Sequence, residues 1–153
     1  MNKRRAFIVG IKSINLLKNE IRFLKKYKPW GIILFTRNIK DINQTTELTK
    51  SIRKIFNDDK YPILIDQEGG KVSRLENIIT SKNLSSEFFG KKYLKNVSKF
   101  KVYYKLFIDK TSNLLKQMGI NLNSVPVLDL KIKGSSNIIG NRSYSNNPSI
   151  VSK

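Results

Sequence analysis

The sequence predicts an α/β fold built on a parallel β-sheet. Short apolar runs alternate with amphipathic helical stretches, and this alternation is typical of repeated βα units with crossover connections. The second and third apolar runs contain no alternating polar residues, as expected for parallel strands that are covered on both faces. A chain of 153 residues has room for one ordinary domain with a sizeable core.

Four apolar runs are predicted to be strands. The first opens the chain, the second follows Pro29 and Trp30, the third follows Tyr61, and the fourth lies near the C-terminus. These strands are predicted at residues 6–11, 31–35, 62–66 and 124–130.

Two helices are predicted between the first three strands. The first is expected to end at Pro29, which cannot continue a helix. Asp41 or Asn43 is a suitable N-cap for the second helix. The buried stripes consist of Leu17, Ile21 and Leu24 in the first helix, and of Leu48, Ile52, Ile55 and Phe56 in the second.

A lysine-rich segment is predicted to form a long helix that ends before Gly119. Lysines interleaved with aromatic rings are one way to bind nucleic acid, and the net charge of +19 fits that function. Here, however, apolar residues recur at three- and four-residue steps, which indicates one buried face with the lysines on the outside. We therefore expect no nucleic-acid partner. The buried face is predicted to contain Val97, Phe100, Tyr104, Phe107, Ile108, Leu115 and Met118.

The composition excludes several kinds of site. The sequence contains no Cys and no His, which excludes a disulfide, a thiol nucleophile, a His metal ligand and a Ser-His-Asp triad within this chain. Any proton transfer would fall to carboxylates, Lys or Tyr. The apolar stretch after the basic start is too short for a secretory signal, and none is long enough for a membrane span. We therefore expect a cytoplasmic protein without a membrane partner.

The last residues resemble the beginning of a helix. Asn147 and Pro148 are suited to the N-cap and first helical positions, and only five residues follow them. Because one turn does not stabilise itself, we expect the chain to be cut near the start of a helix and to belong to a longer protein. A short frayed tail is the alternative.

The segment 66–74, with sequence DQEGGKVSR, is the strongest candidate for chemistry. It begins where a buried parallel strand ends, which is the edge at which α/β proteins bind ligands. The two glycines permit positive φ angles or a close approach to a ligand, and Asp66 would provide a two-oxygen acceptor of the kind suited to neighbouring sugar hydroxyls. A strand-end cap is the alternative role for Asp66. For Glu68 we favour a structural ion pair.

Arginine is rare in this lysine-rich chain, and three of the seven arginines follow predicted strands. They are Arg37, Arg74 and Arg142, the last in the loop 136–144 after Asp129. Arginine is needed instead of lysine where a planar fork must donate two hydrogen bonds at once. The other four are expected on the surface, namely Arg4, Arg5, Arg22 and Arg53.

Four segments together resemble the N-terminal half of bacterial β-N-acetylhexosaminidases of glycoside hydrolase family 3. These are GIILFTRN at 31–38, IDQEGGKVSR at 65–74, NSVPVLD at 123–129 and IGNRSY at 139–144. The resemblance implies a (β/α)8 TIM barrel, of which residues 1–153 would hold about four βα units as one incomplete domain.

The same resemblance implies a function. These enzymes release terminal β-N-acetylglucosamine from peptidoglycan fragments during cell-wall recycling, by a retaining mechanism. It implies that Asp66, Arg74 and Arg142 bind the sugar, without a cofactor or metal, and that the whole protein is a monomer. Lys71 stands where many relatives have Arg, and we assign it no sugar contact.

The resemblance also places the catalytic groups elsewhere. In this family an Asp nucleophile and a His acid/base follow later strands, so both are expected beyond Lys153. Residues 1–153 alone are therefore expected to be inactive. Two alternatives stay open: a family 3 β-glucosidase, and a basic domain that binds polyanions.

Overall fold

A computed structural model describes residues 4–134 and 136–153. Its four strands form one parallel sheet in the order β1-β2-β3-β4. Each strand therefore lies beside its neighbour in sequence, and each connection crosses over through at least one helix. The strands are β1 (Arg5–Gly10), β2 (Pro29–Leu34), β3 (Ile63–Ile65) and β4 (Leu122–Asn123).

Five α-helices accompany the sheet. They are α1 (Lys18–Tyr27), α2 (Ile42–Phe56), α3 (Ser86–Lys95), α4 (Val97–Gln117) and α5 (Pro148–Val151). Single 3-10 turns follow β2 at Thr36–Asn38 and precede α5 at Gly140–Arg142. Within the two described ranges, no helix combines the length and the apolar character that a membrane crossing requires.

The predicted helix boundaries are largely confirmed. Pro29 is the first residue of β2, directly after Lys28 ends α1 in a left-handed conformation. Asp41, and not Asn43, caps α2, because its carboxylate accepts a hydrogen bond of 2.8 Å from the Gln44 amide.

The lysine-rich segment forms two helices and not one. Asn96 ends α3 and caps α4, where its side chain accepts a hydrogen bond of 2.9 Å from the Lys99 amide. The predicted burial of Val97 is wrong: this residue lies in the first turn after the break and is 43% exposed. Met118 is buried, and Gly119 ends the helix with a φ of +72°, as predicted.

The fourth strand is shorter and earlier than predicted. β4 ends at Asn123, and the Ser124 amide still donates to the Ile65 carbonyl at 2.9 Å. Residues 125–130, all of which the structure describes, lie outside any strand. β3 itself ends at Ile65, so residues beyond Ser124 have no neighbouring strand with which to pair. Pro126 also has no amide hydrogen to donate to a β-sheet. The predicted strand at 124–130 therefore does not form.

The core lies between the sheet and the helices. Alternate residues of β2 and β3 are fully buried there, while Ile33 and Leu64 on the other face are only partly buried. The prediction that both faces are covered therefore holds for one face. The core side chains include Ile32, Leu34, Ile63 and Ile65 from the sheet and Leu24, Leu48, Ile52, Leu115 and Met118 from the helices.

Two of the four arginines that were expected on the surface are partly buried. Arg4 forms an ion pair with Asp58, and Arg53 donates a hydrogen bond of 2.5 Å to the Gly119 carbonyl. The other two are exposed, as predicted. Both exceptions connect distant parts of the chain, which a sequence pattern does not indicate.

Candidate functional site

The segment after β3 forms a tight turn at the carboxyl edge of the sheet. The amides of Glu68 and Gly69 both donate to the Val72 carbonyl, at 2.9 and 3.1 Å. Both glycines adopt the positive φ angles that glycine permits, +87° at Gly69 and +62° at Gly70. A Cβ atom on Gly70 would lie 2.7 Å from the Cβ of Ser85. Glycine is therefore required at Gly70 for both its conformation and its space.

Asp66 and Arg74 form an ion pair with two hydrogen bonds. Arg74 Nε donates to Oδ1 at 3.0 Å, and an Nη nitrogen donates to Oδ2 at 2.6 Å. This hydrogen bonding raises the pKa of the Arg74 guanidinium above its ordinary value. Both side chains are about a quarter exposed, so they remain accessible to a ligand. The carboxylate holds an arginine rather than capping the strand end.

Glu68 and Arg142 form a second ion pair of the same geometry. Arg142 Nε and an Nη nitrogen each donate at 2.9 Å to one oxygen of Glu68. The side chain of Glu68 is only 4% exposed, and its hydrogen bonds raise the pKa of Arg142. The predicted structural ion pair of Glu68 is thus confirmed. It joins the loop before α5 to the turn after β3.

The two ion pairs lie within electrostatic range of each other. The Glu68 carboxylate also contributes to the raised pKa of Arg74, whereas the Arg142 charge opposes that rise. The structure therefore brings Asp66, Arg74 and Arg142 together at one edge of the sheet. Asp129, which is exposed, adds to the negative potential at Arg142.

Phe35 connects the end of β2 to this site and was not singled out from the sequence. The guanidinium carbon of Arg37 lies 4.5 Å from the centre of its ring, and that of Arg74 lies 5.5 Å away. Arg37 also donates to the Ile11 carbonyl at 3.0 Å. Arg37 therefore lies near the site, because its guanidinium and that of Arg74 are both placed over the ring of Phe35. The available signal was the position of Phe35 as the last residue of a predicted buried strand.

Helices α3 and α4 hold the loop that carries Arg142. Gly90 of α3 faces the backbone of Tyr144, and a Cβ atom at this glycine would collide with the Tyr144 carbonyl. The hydroxyl groups of Tyr104 and Tyr144 are 2.9 Å apart, and burial raises the pKa of Tyr144. This packing fixes the chain two residues after Arg142.

Among the described residues, the charged groups around the site are arranged as ion pairs. In the part of the chain that the structure describes, no group of three or more carboxylates is placed to hold a metal ion. Lys71 is exposed, and its ammonium nitrogen lies 3.7 Å from where a Cβ of Gly140 would be. Lys71 therefore lies beside the loop of Arg142.

The arrangement can recognise a molecule that carries neighbouring hydroxyl groups. A carboxylate oxygen that accepts one hydrogen bond from arginine can accept another from a hydroxyl. The guanidinium groups keep further N–H bonds for ligand oxygens. Paired in this way, the charges are fixed in position, which reduces the entropy lost when a ligand binds.

The chain is similar to the family described as glycosyl hydrolase family 3 N terminal domain, which matches residues 8–153. A beta-hexosaminidase of Neisseria meningitidis is 31% identical over 153 residues, covering 98% of this chain and 41% of the relative. A beta-hexosaminidase of Thioalkalivibrio sulfidiphilus is 29% identical over 144 residues, covering 94% and 41%. The chain thus spans about two fifths of the length of these relatives.

Solved structures show the same likeness. The structure of NagZ from Neisseria gonorrhoeae in complex with N-trifluoroacetyl-D-glucosamine aligns with a TM-score of 0.85 at 30% identity, covering 97% of this chain and 44% of that one. A family 3 beta-N-acetylglucosaminidase from Paenibacillus aligns with a TM-score of 0.75 at 27% identity, covering 95% and 27%. The predicted fold class, βα units of a TIM-barrel-like α/β fold, is confirmed.

Proposed function

The chain belongs to glycosyl hydrolase family 3, and we propose that it supplies part of the sugar pocket of a β-N-acetylhexosaminidase. The observation that supports this most strongly is the convergence of two arginine–carboxylate pairs, Asp66 with Arg74 and Glu68 with Arg142, at the carboxyl edge of the sheet. In the proposed reaction, the whole protein removes a terminal β-N-acetylglucosamine with retention of configuration.

In this proposal Asp66, Arg74 and Arg142 bind the terminal sugar. The Asp66 carboxylate accepts hydrogen bonds from sugar hydroxyls, while the two guanidinium groups donate to sugar oxygens. The pair geometry favours this role because each arginine is held by two hydrogen bonds and presents its remaining N–H groups in a fixed direction.

The proposal assigns the bond-breaking chemistry to groups outside this set. Asp66 and Glu68 each use both carboxylate oxygens to hold an arginine, an arrangement suited to positioning and not to nucleophilic attack. The sequence contains no His to act as the acid/base. As the resemblance to family 3 implies, we propose that an Asp nucleophile and a His acid/base come from another part of the whole protein, and that residues 1–153 form one part of its barrel domain.

The biological setting is a further part of the proposal. We place the whole protein in the cytoplasm as a monomer that acts on N-acetylglucosamine-containing muropeptides during peptidoglycan recycling, without a cofactor. The similarity to beta-hexosaminidases and to a structure with a bound glucosamine derivative supports the proposed substrate class.

Isothermal titration calorimetry with N-acetylglucosamine and the 153-residue chain tests the binding role. We expect saturable binding by the parent chain, with binding of glucose at least tenfold weaker. Asp66→Asn and Arg74→Lys are each expected to weaken binding about 10- to 100-fold, since a hydrogen bond to a charged group contributes about 1.5–3 kcal/mol.

A matched control uses another ion-paired aspartate. Asp109 forms an ion pair with Lys105 on the outer surface of α4, so Asp109→Asn is expected to leave sugar binding unchanged. Equal binding of glucose and N-acetylglucosamine would favour a β-glucosidase. Salt-dependent retention on DNA that survives Asp66→Asn, together with no sugar binding, would favour a polyanion-binding domain.

A further inference from the structure

In the sequence, Gln67 stands between Asp66 and Glu68, the two carboxylates of the site. Its own side chain is buried, with only 2% of the residue exposed. Its amide oxygen accepts hydrogen bonds from the backbone amides of Arg74 and Leu75, at 2.7 and 3.1 Å. Asp66 therefore holds the side chain of Arg74, and the next residue along the chain holds the backbone of the same arginine.

The nitrogen of the Gln67 side chain is also fully engaged. It donates to the hydroxyl oxygens of Ser73 and Ser81, at 3.1 and 3.2 Å, and the two hydroxyls are 2.8 Å apart. Both serines are buried, with 8% and 4% exposure. The orientation of the amide is thus fixed, because its nitrogen faces two hydroxyls and its oxygen faces two backbone N–H groups.

The backbone of Gln67 is fixed independently by the neighbouring strand. Asn123, the last residue of β4, accepts from the Gln67 amide at 3.0 Å and donates to the Gln67 carbonyl at 3.3 Å. The position of Gln67 is therefore set by the sheet. Through this residue, the sheet sets the position of the loop that carries Arg74.

We propose that Gln67 is a positioning residue for sugar binding. It anchors the backbone of Arg74 to the sheet so that the guanidinium meets Asp66 with both hydrogen bonds. This inference rests on the proposed function for its effect on the sugar, but the placement of Arg74 is measurable without any sugar.

Two substitutions of Gln67 test whether the hydrogen bonds of its side chain position Arg74. Gln67→Met keeps the length of the side chain but leaves the amides of Arg74 and Leu75 without an acceptor. Gln67→Glu keeps an acceptor for both amides, and the hydroxyl of Ser81, which now donates to Ser73, can rotate to donate to the carboxylate. The conservative variant is therefore expected to rescue the placement of Arg74.

Nuclear magnetic resonance on the 153-residue chain tests the placement through the Nε–H signal of Arg74. In Gln67→Met this signal is expected to shift and to lose its protection from solvent exchange, while in Gln67→Glu it stays protected. Asn77→Ala is the control, because Asn77 donates at 2.8 Å to the Ile39 carbonyl from the same loop. This variant is expected to leave the Arg74 signal in place.

The affinity for N-acetylglucosamine provides the second readout. We expect Gln67→Met to raise the dissociation constant at least tenfold, and Gln67→Glu to raise it less than threefold. An unchanged Arg74 signal in Gln67→Met would overturn the inference, as would a Gln67→Glu variant that behaves like Gln67→Met. If the parent chain binds no sugar, the proposed function fails, while the Arg74 signal still decides the role of Gln67.

A measurement on the parent chain covers the case in which Gln67→Met does not fold. A scalar coupling across the hydrogen bond between the Arg74 amide nitrogen and the Gln67 side-chain carbonyl carbon is expected. Rapid solvent exchange at the Arg74 amide, without this coupling, would overturn the inference.

Discussion

The Arg142 guanidinium donates two hydrogen bonds of 2.9 Å to the Glu68 carboxylate, which lies 74 residues away in the sequence. The contact connects the loop after β4 with the turn after β3. Because Glu68 is almost completely buried, the ion pair is a structural tie that also places one of the candidate sugar-binding arginines.

Replacing Glu68 by Gln is expected to destabilise the protein by about 3 kcal/mol. Breaking a buried ion pair from one side leaves an unpaired charge, which costs about 3–5 kcal/mol, and the 23% exposure of Arg142 favours the lower value. Urea unfolding measures the change. Asp109→Asn, in a pair that is more than half exposed, is the control and is expected to cost less than about 1 kcal/mol.

A double variant tests whether Glu68 and Arg142 stabilise the protein through their direct ion pair. If the pair is the cause, Glu68→Gln combined with Arg142→Gln is expected to be more stable than the sum of the two single changes predicts. Additive changes in the free energy of unfolding would contradict a direct coupling between these residues.

Gly70 is expected to tolerate alanine less well than Gly134. Both glycines have positive φ angles, +62° and +83°, and this strain costs an alanine about 1–2 kcal/mol. Only at Gly70 would the new methyl group also press on Ser85, which adds about 1–3 kcal/mol, whereas Gly134 has open space. Denaturant unfolding of both alanine variants tests the difference, and equal losses would contradict it.

Burial of Tyr61 is expected to make the protein less stable at high pH. Burial raises the pKa of Tyr61 to about 12 in the folded state, despite the opposing charge of Arg4, and its hydroxyl donates at 2.8 Å to the Pro29 carbonyl. The unfolded chain releases this proton near pH 10. The contribution of the neutral Tyr61 phenol to the free energy of unfolding is therefore complete below pH 10 and is lost as the pH rises towards 12.

The free energy of unfolding is expected to lose about 1.4 kcal/mol of the Tyr61 contribution for each pH unit between pH 10 and pH 12. Thermal or urea unfolding of the parent and of Tyr61→Phe isolates it, because the other ionising groups are common to both proteins. The stability advantage of the parent is expected to shrink across this range. A difference that stays constant with pH would contradict the buried, neutral phenol.

Local patterns were sufficient to predict most of the fold. The continuous apolar runs gave β2 and β3 to within two residues at each end, and Asp41, Pro29 and Gly119 marked helix ends by their intrinsic backbone chemistry. The break at Asn96 was missed although its signal is local, because Asn is a favoured N-cap residue and its side chain accepts a hydrogen bond from the Lys99 amide.

The site was predicted in part. The strand-end positions of Asp66, Arg74 and Arg142 indicated a common edge, since parallel strands present their carboxyl ends together. The pairing of each arginine with a particular carboxylate depends on loop conformation and was predicted only as an ion pair of Glu68. Phe35 and the hydrogen bonds of Gln67 are tertiary contacts without a local pattern.

The central claim is that Arg74 and Arg142 contact the same sugar. Arginine Nε–H spectra of the 153-residue chain, recorded during titration with N-acetylglucosamine, test it directly. The signals of Arg74 and Arg142 are expected to shift together along one binding curve, while those of Arg22 and Arg53 stay fixed. A titration in which the sugar binds but moves neither Arg74 nor Arg142 would contradict the claim.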